Sequence, residues 1–176
     1  MIERHSLELA LPGASIGAVA GAMAGGLTLF AGVPAGLAAL SALAFAMTLG
    51  LFGGLYGVLL GHGLFRPGTF GPCGLYWMAA FPLSRLAQET LAGTGGLADG
   101  VPGFLVYQAM VGLGFAIGFV WLHERLMPHW LIRLAPANPQ AEALLGLYLQ
   151  HAQALRSSRA SRSPRNSRSS RKGARR

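Results

Sequence analysis

Apolar residues run almost without interruption along the first 135 residues, and charged side chains break the run at only a few places. Between Glu8 and Arg66 there are 57 residues without a formal charge. A bilayer core of about 30 Å is crossed by roughly 20 helical residues, so this stretch is too long for one span. The Gly and Pro residues at 32–36 are typical of a turn. The pattern therefore predicts two membrane spans, at residues 12–31 and 35–62.

A third apolar segment free of formal charge lies at residues 103–122. Backbone polar groups cannot stay unpaired in lipid, and the chain lacks the ten-residue alternation of a membrane barrel. We therefore expect an all-α polytopic membrane protein.

Residues 73–93 form a segment that permits two interpretations. Its first half is apolar and aromatic, whereas its second half contains Ser84, Arg85, Gln88 and Glu89. On a helix these four side chains fall within about 140° of arc. Such a helix can lie in the membrane interface, or it can span the membrane with its polar face turned into a bundle.

Composition excludes most soluble classes of protein. Only 11% of residues are charged, against about 25% in soluble domains, and 52% are hydrophobic. The net charge of +8 is concentrated at the C-terminal end, because residues 1–155 carry five basic and six acidic side chains. The other nine basic residues are Arg156, Arg159, Arg162, Arg165, Arg168, Arg171, Lys172, Arg175 and Arg176. A soluble globular enzyme is therefore not expected.

The distribution of positive charge favours four spans over three. Basic segments stay on the cytoplasmic side of membranes. With residues 73–93 as a span, thirteen of the fourteen basic residues face the cytoplasm, and only Arg85 is left inside. We therefore predict a four-helix transmembrane bundle with both termini cytoplasmic, in a bacterial cytoplasmic membrane. The alternative is three spans plus one interfacial helix.

This interpretation divides the chain into three parts. Residues 1–134 are expected to form the transmembrane domain, residues 135–155 a cytoplasmic amphipathic segment, and residues 156–176 a disordered Arg/Ser-rich tail. The tryptophans Trp77, Trp121 and Trp130 are expected at the membrane interfaces, where this residue is enriched.

Glycines recur every four residues in three of the expected spans. Small residues at this spacing form a smooth stripe on which a neighbouring membrane helix packs closely. The pattern predicts a glycine zipper, with GxxxG contacts within the bundle or between copies of the chain. The residues concerned are Gly13, Gly17, Gly21, Gly25, Gly50, Gly53, Gly54, Gly57, Gly61, Gly114 and Gly118.

Candidate chemistry is confined to residues 73–93. A charged side chain inside a membrane is costly, so Arg85 requires a partner, and Glu89 lies one turn away on the same face. With Ser84 and Gln88 the pair forms a candidate site for an anion, a proton or a polar head group. A purely structural ion pair is the alternative. No catalytic residues are assigned, and the single Cys and scattered His residues predict neither a metal site nor a cofactor.

The tail has arginine at every third position from Arg156 to Arg171. Basic residues near a cytoplasmic leaflet attract anionic lipid head groups, which are the partner we expect for its nine basic residues. The alternative is a tail that fixes topology and solubility and has no dedicated partner. The tail has no aromatic residue for base stacking, so sequence-specific nucleic-acid binding is not expected.

The sequence favours one function and leaves a second open. The first is a structural or accessory component of a membrane assembly, which contacts lipid and either further copies of itself or a larger membrane protein. The alternative is a small oligomeric transporter or channel that uses Arg85, Gln88 and Glu89 as a polar path.

Overall fold

A computed structural model describes residues 4–93, 95–97 and 100–162 of the chain, and within them every long element is a helix. In chain order these are α1 (Arg4–Gly26), which runs into a 3-10 turn at Leu27–Ala31, α2 (Ala35–Gly61), α3 (Phe70–Ala92), α4 (Val101–Leu134) and α5 (Pro139–Arg162). The fold is all-α over the described residues, as the apolar pattern predicts.

Three helical segments are long and apolar enough to cross a membrane, namely Arg4–Ala31, Ala35–Gly61 and Val101–Leu134. Their outward faces carry large apolar side chains, such as Leu51 and Met110, each 71% exposed. An apolar surface this extensive indicates burial in lipid. The chain therefore has the character of a membrane protein. Helix α4 continues twelve residues beyond the predicted end at 122, and its 34 residues extend about 51 Å.

The α1–α2 hairpin packs backbone against backbone. A Cβ atom placed on Gly13 or Gly17 would overlap the backbone of Gly53 or Leu49 on α2. The same holds further along α1 at Gly21 and Gly25. The chain reverses at Gly32, whose φ of 79° lies in the left-handed region that glycine adopts without strain.

Helix α3 lies between α2 and α4 and fills the core of the bundle. Trp77 is completely buried, with its ring 4.6 Å from that of Phe115 and 4.7 Å from that of Phe119. The prediction that Trp77 is an interfacial anchor is therefore wrong. Gly112 explains why Trp77 is buried in the core. Because Gly112 has no side chain, α4 approaches the Trp77 carbonyl closely and encloses the ring.

Helix α5 covers one end of the bundle. Ala141, Leu144 and Tyr148 are buried against α1, α2 and α4 in a second apolar cluster. The amphipathic segment predicted at 135–155 therefore packs on the bundle.

Helix α5 also continues to Arg162, so residues 156–162 of the predicted disordered tail are helical. The part of α5 that packs on the bundle supplies the costly helix nucleus, and the four good helix formers among residues 156–162, three Arg and one Ala, allow the helix to continue through the three serines. The rest of the predicted tail, residues 163–176, lies outside the described residues.

Candidate functional site

Three of the four candidate polar residues of α3 are buried within the bundle. Ser84 and Gln88 have no exposed surface, and Glu89 is 3% exposed. The Ser84 hydroxyl donates a 2.9 Å hydrogen bond to the Ala80 carbonyl one turn earlier, so its only proton is used within α3. The structure thus places the polar face of α3 inward.

Gln88 connects α3 to α2. Its Nε2 donates a hydrogen bond to the Ser41 hydroxyl, and both residues are fully buried. The other amide atom, Gln88 Oε1, is buried and has no hydrogen-bond partner in the described part of the chain. A buried acceptor without a partner costs about 1–3 kcal/mol. Gln88 therefore keeps an unused hydrogen-bonding capacity inside the bundle.

Glu89 connects α3 to the segment that leads into α4. Its Oε1 accepts a 2.8 Å hydrogen bond from the Gly96 backbone N–H. Helix α3 ends three residues later at Ala92, where Gly93 adopts a left-handed conformation. The carboxylate thus binds a backbone donor that the helix itself cannot satisfy.

Arg85 lies partly buried between two aromatic rings. Its guanidinium carbon is 5.5 Å from the ring centroid of Phe45 on α2 and 5.9 Å from that of Phe104 on α4. Attraction between its charge and that of Glu89 adds to these contacts. Such cation–π contacts contribute about 0.5–2 kcal/mol each, more when desolvated. Arg85 therefore has aromatic partners on α2 and α4, whereas the predicted ion pair with Glu89 is not closed to within 4.0 Å.

Gln108 belongs to the same region and was not predicted from the sequence. It is 7% exposed and lies one turn from Phe104 and one turn from Gly112, both of which face α3. The sequence does carry a signal for this residue, because a single Gln within an otherwise apolar span indicates a buried polar contact.

A second polar cluster lies at the opposite end of the bundle. Glu124 Oε1 accepts hydrogen bonds from the Gly68 N–H at 3.2 Å and the Tyr148 hydroxyl at 3.3 Å. Burial, and then the negative charge of Glu124, raise the pKa of Tyr148. The neighbouring His123 is 1% exposed, and its ring stacks on Phe119. This cluster joins α4, α5 and the α2–α3 connection.

Asn138 fixes the start of α5. Its Oδ1 accepts hydrogen bonds from the backbone N–H groups of Gln140 and Ala141, and Pro139 takes the first helical position. Its Nδ2 donates to the His5 carbonyl and to Glu8 Oε2, both at 2.9 Å. The Asn-Pro pair is a helix-start signal that could have located α5 from the sequence.

The glycines predicted to pack fall into three groups. Gly13, Gly17, Gly21, Gly25, Gly53 and Gly57 face the backbone of the partner helix in the α1–α2 hairpin. Gly50, Gly54 and Gly61 also face α1; a Cβ atom would meet mainly side chains at Gly54 and Gly61, and both backbone and side-chain atoms at 3.3 Å or more at Gly50. Gly114 and Gly118 on α4 have no atom within 4 Å of a Cβ position. The hairpin glycines thus lie at a helix contact, whereas the two on α4 border open space.

Among the surface cavities formed by the described residues, three lie between helices. Two lie between α1 and α4, with volumes of about 460 and 450 Å³. The third, of about 360 Å³, lies between α3 and α4 and is lined by apolar residues that include Pro82 and Leu105. Ser84, Arg85, Gln88 and Glu89 line none of these three cavities.

No cluster of three or more His, Cys, Asp or Glu side chains that could hold a metal ion occurs within the described ranges. Comparisons of the chain with protein-family models, characterised proteins and solved structures gave no match.

Proposed function

We propose that α3 is a fourth membrane span. It runs antiparallel to α2 over residues 41–52 of that helix, since Gln88 bonds Ser41, Phe81 contacts Phe45, and the Tyr76 hydroxyl bonds the Phe52 carbonyl. A helix that accompanies a span over this length lies at the same depth in the bilayer. Its 23 residues extend about 35 Å, enough to cross a core of about 30 Å.

The distribution of side chains on α3 supports the same proposal. Gln88 and Glu89 are buried, whereas Leu75 and Leu91 are 71% and 62% exposed. A helix lying in the interface turns its polar face to water. A spanning helix turns its polar face into the bundle, which is the arrangement seen here.

Cysteine labelling from each side of the membrane tests this topology. The native Cys73 is fully buried, so Cys73→Ala provides a background for Thr69→Cys and Val101→Cys. Both new thiols stand at exposed positions flanking α3. With four spans, an impermeant maleimide applied to intact cells labels position 101 and spares position 69. Labelling of both positions from the same side would disprove the four-span proposal.

We propose that the protein acts as a structural or accessory component of a membrane assembly, with its basic tail on an anionic cytoplasmic surface. The observation that carries this proposal is the use of the α3 polar residues in contacts between helices. Ser41, Phe45 and Gly96 each take a partner from α3, and the three cavities are lined by other residues. The close backbone contacts at the glycines of the α1–α2 hairpin support this proposal as well.

Purification in a mild detergent tests the accessory function. We expect a larger membrane protein to copurify with the tagged chain in fixed stoichiometry, and to be lost when the membrane is solubilised in a harsh detergent. A chain that purifies alone, and transports a solute when reconstituted alone, would contradict the proposal.

A small transporter or channel is the second candidate, and the buried Oε1 of Gln88 favours it. A polar solute or a proton-carrying water could use this acceptor, with Arg85 close by for an anion. The test compares Gln88→Leu with Arg66→Gln, an exposed charge outside the bundle, in reconstituted vesicles. Flux that is lost in Gln88→Leu and kept in Arg66→Gln would support transport. The absence of flux in the unmodified protein would exclude the transporter or channel function.

A further inference from the structure

The two cavities between α1 and α4 form one continuous groove. Ser15 on α1 and Leu126 on α4 line both cavities, so the cavities meet at these residues. We call the combined feature the α1–α4 groove. It opens to the surface along two segments that are long and apolar enough to span the membrane.

The first section of the groove is apolar and has the length of one lipid leaflet. It runs from Met23 and Gly114 to Leu126 and is lined by apolar side chains apart from Ser15. The twelve-residue step from Gly114 to Leu126 spans about 18 Å of helix. One leaflet of a 30 Å hydrocarbon core is about 15 Å deep. Gly118 adds no side chain to this section of the groove, and a Cβ atom placed there would meet no atom within 4 Å.

The second section has a mixed lining, in which Leu11 and Pro12 lie beside polar residues and a basic side chain stands at the end. It runs from Leu126 to Arg133, about 10 Å of helix, and includes His129 and Trp130. The Trp130 indole N–H donates a 2.8 Å hydrogen bond to the Glu8 carbonyl, which fixes the ring beside the groove. Arg133 is exposed, and no described carboxylate lies within ion-pair distance of it. The basic end is therefore complementary to an anionic group.

We propose that the α1–α4 groove binds one anionic phospholipid from the leaflet on the side of the basic tail. One acyl chain lies along Gly118, and the phosphate pairs with Arg133 beside Trp130. A partner transmembrane helix would need an apolar track across both leaflets, whereas the apolar section covers about one. The site is independent of the accessory role, because it requires only that α1 and α4 span the membrane.

Retention of lipid by the purified full-length chain tests the site. The protein is solubilised from vesicles of equal phosphatidylglycerol and phosphatidylcholine, and the bound lipids are counted by native mass spectrometry. We expect one retained phosphatidylglycerol. Arg133→Gln should weaken its retention about fivefold, as loss of one interfacial charge predicts. Gly118→Leu should abolish it, because the new side chain fills the apolar section.

Matched controls separate the groove from general attraction to lipid. Gly103→Leu introduces the same side chain at an open position of α4 outside the groove, and Arg66→Gln removes an exposed charge elsewhere. All variants keep the basic tail, so its contribution cancels. In a Trp121→Phe background the remaining tryptophans are Trp130 and the fully buried Trp77, so brominated phosphatidylglycerol should quench the Trp130 part of the fluorescence more strongly than brominated phosphatidylcholine.

Three results would overturn the proposal. Unchanged retention in Gly118→Leu would show that the bound lipid lies elsewhere. Equal retention of the two lipids would indicate an annular lipid without a head-group site. A change of oligomeric state in Gly118→Leu, without loss of lipid, would assign the groove to a second copy of the chain. A Gly114→Leu variant repeats the test if Gly118→Leu fails to fold.

Discussion

Replacement of Gly17 by Ala should destabilise the bundle, although Ala is the better helix former. The new Cβ would stand 2.6 Å from the carbonyl carbon of Leu49 and 3.0 Å from the Gly50 nitrogen. Carbon atoms in contact prefer about 3.5–4.0 Å, so α1 and α2 must separate by roughly 1 Å. Both near atoms belong to the backbone, and no rotamer change can relieve the overlap.

The size of the effect follows from the separation. A gap of 0.5–1 Å removes about a quarter to a half of the dispersion attraction between facing atoms. If about 30 atom pairs, each contributing about 0.15 kcal/mol, lose a third of their attraction, the packing energy lost is roughly 1.5 kcal/mol. This lies within the 1–3 kcal/mol typical of overpacked cores. The helix propensity of Ala offsets at most about 1 kcal/mol.

A series of three Gly→Ala variants isolates the packing effect from helix propensity. Gly118 borders open space, so Gly118→Ala reports the propensity change. At Gly54 the new Cβ would touch the Ala14 and Ala10 side chains at 3.3 and 3.4 Å, a tight contact that a small shift relieves. We expect stability to fall in the order Gly118→Ala, Gly54→Ala, Gly17→Ala, with about 1.5 kcal/mol between the first and last, because the propensity change is common to all three.

Reversible unfolding in mixed micelles of mild detergent and dodecyl sulfate, followed by tryptophan fluorescence, measures the three free energies. Trp77 is a suitable reporter, because it is fully buried among aromatic rings. The reasoning would be refuted if Gly17→Ala unfolded at the same dodecyl sulfate fraction as Gly118→Ala, or at a higher one. That result would mean that α1 and α2 do not pack backbone against backbone.

Two further predictions concern buried hydrogen bonds. Asn138→Asp keeps the helix cap but places a second carboxylate beside that of Glu8. We expect the free energy of thermal unfolding to fall by about 1–3 kcal/mol, and to recover in the Asn138→Asp/Glu8→Gln double variant. Ser41→Ala leaves the Gln88 Nε2 without its acceptor and should lower the free energy of unfolding by about 1 kcal/mol. The double variant Ser41→Ala/Gln88→Leu should be nearly as stable as the unmodified protein. A double-mutant cycle that shows no coupling energy between the two positions would contradict this prediction.

The apolar pattern predicts the hairpin well because local signals dominate there. The turn at 32–36 and the uninterrupted apolar run locate α1 and α2 to within a few residues, apart from the start of α1. That start, at Arg4, lies eight residues before the predicted span, because charged residues outside the bilayer continue the helix. The end of α4 at Leu134 was missed for the same reason. Hydropathy predicts where a helix lies in lipid and carries little information on where it ends.

Side-chain partners in α3 could not be predicted from the sequence, because each depends on a contact between distant segments. Periodicity places Arg85 and Glu89 on one helical face, and this suggests an ion pair. The structure adds Phe45 and Phe104 to the surroundings of Arg85, and the Gly96 backbone to those of Glu89. A contact such as that between Gln88 and Ser41 joins residues 47 positions apart. No local pattern specifies it.

The buried polar residues of α3 connect its two neighbouring helices more specifically than apolar packing would. A polar group in lipid loses several kcal/mol unless it finds a partner, so α3 is stable in the bundle only in the register that pairs Gln88 with Ser41 and places Arg85 between two rings. A ligand at this site would have to compete for those same partners. Gln88 Oε1 is a fully buried atom of this group whose hydrogen-bonding capacity no described residue uses. The choice between a structural element and a polar path therefore depends on what occupies the position next to that atom.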